Sequence, residues 1–345
     1  TEGKWATMND ELMRLAPRFY PDPSTTVYVG RDNTIWIYNL FELLGFGYEN
    51  GHLRLIKRMT SQLLVYTIAE DKNGTLWLGG FGGTLFALRH ESATFESVSL
   101  FKRDFTFIPH IINMNDGSLL ISAFGCNPVI LNPDDLKIKE ISLMPQIKRS
   151  LLIPSAVFED SGGFLWFGTL GNGVLCYDPD TGKAEPVTGL SCMDISTIIE
   201  DAHGQIWIGS QYGLMKYDKT IRKVTTYTSG DGTGGNQFSE RSVCRLQDNS
   251  LVFGGTHGIT HFNPIDIAYK RTIPVCFEYL KIHNKMVKPS DNGILTKDLA
   301  LTSGIVLNHQ QNNISVSFAA LDYNSSAPRV KYSYQMQGFD REWID

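Results

Sequence analysis

The sequence has no uninterrupted apolar run long enough to cross a bilayer as a helix, which takes roughly 18 residues. It also lacks any basic stretch: 31 Lys and Arg stand against 36 Asp and Glu, a formal charge of -5, which argues against a nucleic-acid partner. Cysteine is scarce. Cys126, Cys176, Cys192, Cys244 and Cys276 are odd in number, widely separated and never spaced C-x-x-C, so neither a zinc knuckle nor a disulfide framework is expected. Several lie in apolar runs and read as buried thiols, which by themselves lean toward a reducing compartment. No His-Glu-x-x-His and no Gly-x-Ser-x-Gly occurs, removing the sequence marks of a zinc protease and of an α/β-hydrolase.

Other weak motifs dissolve in context. Gly230-Asp231-Gly232-Thr233-Gly234-Gly235 satisfies G-x-G-x-x-G, but no helix pattern follows and no βαβ unit surrounds it, so it reads as a surface loop. His257 and His261 are four apart, about 13 Å along a strand, too far to chelate one metal. No cofactor and no metal are therefore expected. The opening Thr1-Glu2-Gly3-Lys4-Trp5 has neither an initiator Met nor a signal-peptide pattern, so the chain reads as a piece of something longer, with any membrane segment elsewhere.

What the sequence does contain is repetition. Glu70-Asp71-Lys72-Asn73-Gly74-Thr75-Leu76-Trp77-Leu78-Gly79 recurs as Glu159-Asp160 through Gly168 and as Glu200-Asp201 through Gly209. Weaker copies run through Asp32 to Trp36, Asp116 to Leu120 and Asp248 to Val252. The anchors Trp36, Trp77, Leu120, Trp166, Trp207 and Val252 are spaced by 41, 43, 46, 41 and 45 residues. Within a copy, short runs rich in Val, Ile, Phe and Tyr are punctuated by Gly, Asn and Asp, the signal of antiparallel strands: Ile195 to Ile199, Gln205 to Gly209, Leu214 to Tyr217 and Lys223 to Tyr227. Four strands repeated at this period make a propeller blade whose faces are hidden only by stacking on the next blade. The Trp then wedges between blades, and the recurring Glu-Asp pair serves the turn, since a catalytic pair is normally unique.

Residues 1–266 are thus read as a β-propeller. Thr1-Glu2-Gly3 resembles the turn Thr169-Leu170-Gly171, which suggests seven blade positions with the first incomplete. The last, around Arg241 to Phe262, needs a strand from elsewhere. After Pro264 the rhythm changes. Ile273 to Ile282, Asn313 to Leu321 and Tyr332 to Met336 alternate as sandwich strands with one buried face, so residues 267–345 are read as an incomplete immunoglobulin- or fibronectin-like β-sandwich.

The E-D-x-x-G-x-[LI]-W-x-G core resembles the propeller repeats of bacterial two-component regulators. Asn236-Gln237-Phe238 with Phe253 to Pro264 is similar to the final blade of that family, and Asn313 to Trp343 resembles the tyrosine-containing sandwich that follows it. Leu120 and Val252, in place of Trp, depart from the repeat. The resemblance implies the periplasmic sensor region of a hybrid histidine kinase from a Bacteroidetes bacterium. Its ligand would be an oligosaccharide or related small molecule, its signal would cross the inner membrane, and the intact receptor would act as a homodimer rearranged through its sandwich end. The alternatives are a protein-interaction scaffold or a propeller lyase or hydrolase with residues scattered around the central channel.

If the strand entering the Glu-Asp turn is innermost, that turn lies on one face of the disc. The turn after Trp-x-Gly and the links between blades lie on the other. Irregular polar and aromatic material is expected to collect on that second face, including Leu40 to Gly51, Phe101 to Phe107, Lys148-Arg149 and Thr228 to Glu240. Aromatic rings suit the apolar face of a sugar, and Arg, Asp and Asn suit its hydroxyls or acid groups. The candidate ligand-binding residues are Tyr48, Arg103, Phe105, Phe124, Asn127, Arg149, Tyr212, Asn236 and His257, with no catalytic residue among them.

Overall fold

A computed structural model of the chain describes residues 9–19, 25–39, 41–60, 65–89, 92, 94–101, 106–147, 151–267, 274–321 and 332–344. Two compact units are present, Thr1–Pro264 and Ile265–Asp345.

In the first unit the described residues form six antiparallel sheets in chain order, each a run of sequence-adjacent strands, five of four strands and the last of three. Their opening strands are Thr26–Val29, Val65–Glu70, His110–Asn113, Pro154–Glu159, Ile195–Glu200 and Phe238–Arg245, and the sheets are numbered here as blades 1 to 6. From blade 2 onward the opening strands touch their neighbours in succession, and those of blades 4 and 6 also meet, so these strands line the axis of the array. Alternation supplies the glue. Each blade turns one set of side chains to the blade before and the other to the blade after.

Trp36, Tyr38 and Leu43 of blade 1 pack on Val65, Ile68 and Leu78 of blade 2, and Trp77 and Leu85 of blade 2 on Ile111, Leu119 and Ile121 of blade 3. Leu120, in the Trp position, meets Leu165 and Phe167. Trp166 sits with Ile198 and Ile208, and Trp207 reaches Phe262 of blade 6, ring centroids 4.8 Å apart. The Trp anchors are indeed inter-blade wedges. On blade 1 the opposite face, Ile37, Leu44 and Phe46, is covered by Leu12, Ala16 and Phe19 from the helix Asn9–Leu15 and the residues after it. The segment Thr1–Gly3, read as the start of a partial blade, lies outside the described residues.

The Glu-Asp pair turns out to have two separate jobs. In three blades the Asp closes its own turn: Oδ1 of Asp201 accepts from the backbone N–H of His203 (2.8 Å) and Gln205 (3.0 Å), while Oδ2 accepts from Trp207 Nε1 (2.8 Å). Asp71 does the same for Asn73, Thr75 and Trp77, and Asp160 for Gly162, Phe164 and Trp166. The Glu reaches back to the previous blade. Glu70 accepts from Arg31 N, Glu159 from Asn115 N and Glu200 from Ser161 N, at 2.7, 2.7 and 2.8 Å. Lys219 Nζ then bridges Asp160 and Glu200 at 2.9 and 2.7 Å. Burial opposes the charge on Lys219, and the hydrogen bonds to the two carboxylates outweigh it and raise its pKa.

The second unit carries a three-stranded antiparallel sheet with Val275–Ile282 between Lys285–Met286 and Ile314–Ala320. Leu280, Ile282 and Leu295 form its core with Val287, Ile305 and Leu307. Phe277, Phe318 and Tyr332 make a second, more exposed aromatic group on it.

Candidate ligand site

On the face opposite the Glu-Asp turns, the turn between second and third strands is pinned by backbone hydrogen bonds to the link that enters its own blade or the next. Gly82 and Gly83 N–H donate to Thr106 O, Phe124 N–H to Phe107 O, Leu170 N–H to Ile153 O, Gly213 N–H to Asn236 O and Thr256 N–H to Gln237 O. These loops therefore form a fixed rim, not a fringe of loose segments.

The rim is shaped by β-bulges in the opening strands. In blades 2, 4 and 5 two residues of the opening strand span one of its partner, at Val65/Thr67, Pro154/Ala156 and Ile195/Thr197, which sets Tyr66, Ser155 and Ser196 apart from the ladder. Blade 6 goes further. Five residue steps from Phe238 to Val243 lie against two from Gly255 to Phe253, and within that excess Arg241 takes φ +56°, a left-handed conformation unusual for a side chain of its size.

This bulge sends Arg241 across the axis. Its Nη1 donates to the carbonyl of Tyr66, 2.9 Å away and 175 residues earlier, and its guanidinium carbon lies 4.3 Å from the Tyr66 ring centroid. Its charge is also felt at Tyr38 and His110, so one side chain of blade 6 addresses blades 1, 2 and 3. Tyr66 meets Phe107 edge-on at 4.6 Å, and Phe107 contacts Phe81 at 4.7 Å and Phe124 at 5.1 Å. Phe81 is half exposed. The result is a continuous aromatic strip ending in a cation.

Below the strip, polar atoms are buried without partners among the described residues: His110 Nε2, Thr106 Oγ1, Ser122 Oγ and Ser155 Oγ. His110 pairs in register with Ser122 and bonds to backbone of residues 154 and 155. Burial pushes its ring down to about 3, helped by the Arg241 charge, so the imidazole is neutral at physiological pH. Burial likewise lifts Tyr38 to about 12, against the pull of Arg241. Glu240, beside Arg241, is raised by burial and lowered by that same cation, with burial the larger effect.

The residues singled out from sequence fall in different places. Phe124 belongs to the aromatic strip. Tyr212, Asn236 and His257 lie at the rim between blades 5 and 6. There Asn236 Oδ1 accepts from Ser229 N (2.7 Å), and His257 Nδ1 is 2.9 Å from Thr256 Oγ1. His257 packs so closely on Gly235 that a Cβ there would stand 3.0 Å from it. Asn127 is occupied structurally, with Nδ2 donating to Glu140 (2.7 Å) and Oδ1 accepting from Leu143 N (3.0 Å). Arg103, Phe105 and Arg149 lie outside the described residues.

Tyr48 needs correcting. Leu40 to Gly51 is not an expanded turn on the ligand face, because Glu42–Glu49 is the third strand of blade 1. Tyr48 sits beside the hairpin at Asn50-Gly51, on the Glu-Asp side. The cysteines are half-buried apart from exposed Cys244, and burial pushes the Cys176 thiol up to about 12.

Two recesses elsewhere are less suited to a ligand. One of about 110 Å³ opens between blades 1 and 2, lined by Asp32, Trp36, Lys57, Glu70 and Arg89. Nearby, Gly30 stands where blades 2, 4 and 5 have the Asp that bonds the Trp. The other, about 450 Å³, is a shallow opening beside Gln146, Lys183 and Glu185. Neither brings together aromatic faces and buried polar atoms as the strip around Tyr66 and Arg241 does, at the end of the axis, hereafter the channel mouth.

The comparisons with known proteins agree with this architecture. The family described as two component regulator propeller matches residues 61–82 and 189–212. Histidine kinase P4 from Formosa agariphila is 26% identical over 336 residues, covering 90% of this chain but 24% of its own length, so the chain spans about a quarter of that relative. The extracellular domain of a hybrid two-component system from B. thetaiotaomicron is 20% identical, with 92% of this chain and 49% of that one covered and a TM-score of 0.48. Virginiamycin B lyase from Staphylococcus aureus, 13% identical, covers 68% of this chain and 78% of its own with a TM-score of 0.56, a likeness of fold. No helix among the described residues is long and apolar enough to cross a membrane. Two segments of the chain thus match the two component regulator propeller family, and most of its length is similar to a quarter of a bacterial histidine kinase.

Proposed function

We propose that this chain is the periplasmic, ligand-reading part of a membrane-anchored histidine kinase, that it binds an oligosaccharide, and that it does not turn its ligand over. The observation that carries the reading is the channel mouth. Four blades bend their opening strands out of register, and two of these bulges carry Tyr66 and Arg241, which meet each other and, through Tyr66, the loop residues Phe107, Phe81 and Phe124. Aromatic faces flanked by hydrogen-bonding groups on a rigid rim are what a sugar ring requires.

Acid–base chemistry needs a titrating pair held at hydrogen-bond reach of one another, or of a shared substrate atom. Here the buried His110 is held neutral, and the exposed Arg241 is stacked on a ring. These groups suit recognition better than proton transfer. In the longer protein the bound state would pass to the kinase through the second unit, in a homodimer.

Titration calorimetry of the chain against defined oligosaccharides, with product analysis of the same mixtures, tests the reading. Saturable heat with unchanged sugar is expected. Cleaved product would replace it with a lyase or hydrolase reading, and a partner protein bound on this rim with no sugar bound would replace it with a scaffold.

A further inference from the structure

We infer that the ligand read at the channel mouth is anionic, a carboxylate- or sulfate-bearing sugar, and that Arg241 recognises its charge. This deepens, and rests on, the proposal that the mouth is the binding site.

Arg241 is exposed, yet it is held in place. One N–H is tied to Tyr66 O at 2.9 Å and the guanidinium plane is backed by the Tyr66 ring. Beyond this the group makes no hydrogen bond and no ion pair among the described residues, although surface arginines of blades 1 and 2, Arg58 and Arg89, pair with Glu42 and Glu96. A guanidinium offers five donors in a fixed fork that matches a carboxylate or sulfate edge. Here one donor is spent on orientation and the others have no partner among the described residues.

The backbone is also distorted to put it there, with three more residue steps in the bulge than in its partner strand and a left-handed φ at Arg241 itself. Distortion of this kind persists where the surroundings hold it, and it clusters at binding sites.

The local charges agree. The titratable groups facing Arg241 are Tyr38, Tyr66 and His110 across the axis and Glu240 on its own strand. The buried tyrosine and histidine are neutral at pH 7, which leaves Glu240 as the sole opposing charge among the described residues facing Arg241. Its pKa is raised by burial, so it discharges earlier on acidification than a solvated glutamate would. The half-exposed Phe81, two rings along the strip from Tyr66, offers a face for a sugar ring of the same ligand.

A purely structural role, tying blade 6 to blade 2, is the competing account. A tie needs one N–H and would be indifferent to ligand charge.

The test is calorimetry on the 345-residue chain with three probes of equal length: an oligoglucuronate, a sulfated neutral-backbone oligosaccharide, and the unmodified neutral oligosaccharide. The first or second is expected to bind, with affinity falling as salt is added. Arg241→Met should weaken it at least tenfold and Arg241→Lys less, with thermal melts confirming that both variants fold. Glu240→Gln should tighten binding at pH 7 and flatten the tightening otherwise seen as pH falls through the raised Glu240 pKa, a readout that a tie would not move.

Equal binding of the neutral sugar by wild type and Arg241→Met would overturn the inference while leaving the sensor proposal standing. A lowered melting temperature in Arg241→Met, with anionic-sugar affinity unchanged or absent, would assign the residue to the tie alone. Binding of inorganic sulfate that depends on Arg241, without binding of any sugar, would keep the anion site and sink the oligosaccharide reading.

Discussion

Replacing Asp201 tests whether the repeat's Asp–Trp bond is a principal strut of the propeller. Asp201 and Trp207 are both buried, at 3% and 0% exposure. Asp201→Ala removes the acceptor for Trp207 Nε1 and for the backbone N–H groups of His203 and Gln205. The indole N–H has no water to turn to, and an orphaned buried donor costs about 1–3 kcal/mol. The two turn bonds are charge-assisted but closer to solvent, and add about 1 kcal/mol each. The expected loss is therefore about 3–5 kcal/mol, a large part of the roughly 5–15 kcal/mol that holds a typical domain folded.

Asp201→Asn should cost less, about 2 kcal/mol, because its one carbonyl can serve the turn while its amide confronts the indole N–H donor to donor. Urea unfolding followed by tryptophan fluorescence and circular dichroism reads both values, with the transition of the first unit fitted separately from that of the second. Blade 1 is the internal control. Gly30 stands in place of the Asp, so Trp36→Phe forfeits no such bond, whereas Trp207→Phe strands a buried carboxylate oxygen. An Asp201→Ala protein within 0.5 kcal/mol of the parent, by the same scale on which ordinary surface substitutions fall, would refute the strut.

Lys219→Met leaves the buried carboxylates of Asp160 and Glu200 without their shared cation and should cost about 2–3 kcal/mol, measured by urea titration; Lys219→Arg should recover part of it. His110 titrates at about 3 in the folded chain against about 6.5 when unfolded, so the unfolded state takes up the proton first as pH falls. Stability from this group is complete above pH 6.5 and is lost on acidification toward pH 3, amounting to about 2 kcal/mol by pH 5; His110→Gln should flatten the drop in urea midpoint between pH 7 and pH 5. In the receptor proposed above, crosslinking between copies of the second unit should change when ligand is added, and identical crosslinks in both samples would remove the dimer mechanism.

Much of the fold could be read directly from the amino acids, because the physics behind it is local. Strand periodicity and turn chemistry placed Ile195 to Ile199 and Lys223 to Tyr227 almost where the structure has them, at Ile195–Glu200 and Lys223–Tyr227. The spacing of the Trp anchors was enough to announce stacked blades, since a sheet apolar on both faces has no other way to hide them. The Glu-Asp pair was recognisable as belonging to a turn, but not as two devices, because the Glu acts on a backbone N–H some forty residues earlier in the neighbouring blade.

Tyr48 was misplaced for a packing reason. Gly45 and Gly47 look like turn residues, yet Gly45 is small because the Trp36 ring lies across it, 2.9 Å from where a Cβ would be. The channel mouth was the least legible part. Phe124 was singled out through its loop, whereas Tyr66 and Arg241 read as ordinary strand residues. The one available hint was the Glu240-Arg241 pair in a slot that blade 5 fills with Ser196 and Thr197. Composition and period determined that blades form and stack. Only the tertiary arrangement of the blades, with bulges that no local pattern encodes, decided that a residue of the last blade would meet one of the second, and meeting there depends on contacts 175 residues apart.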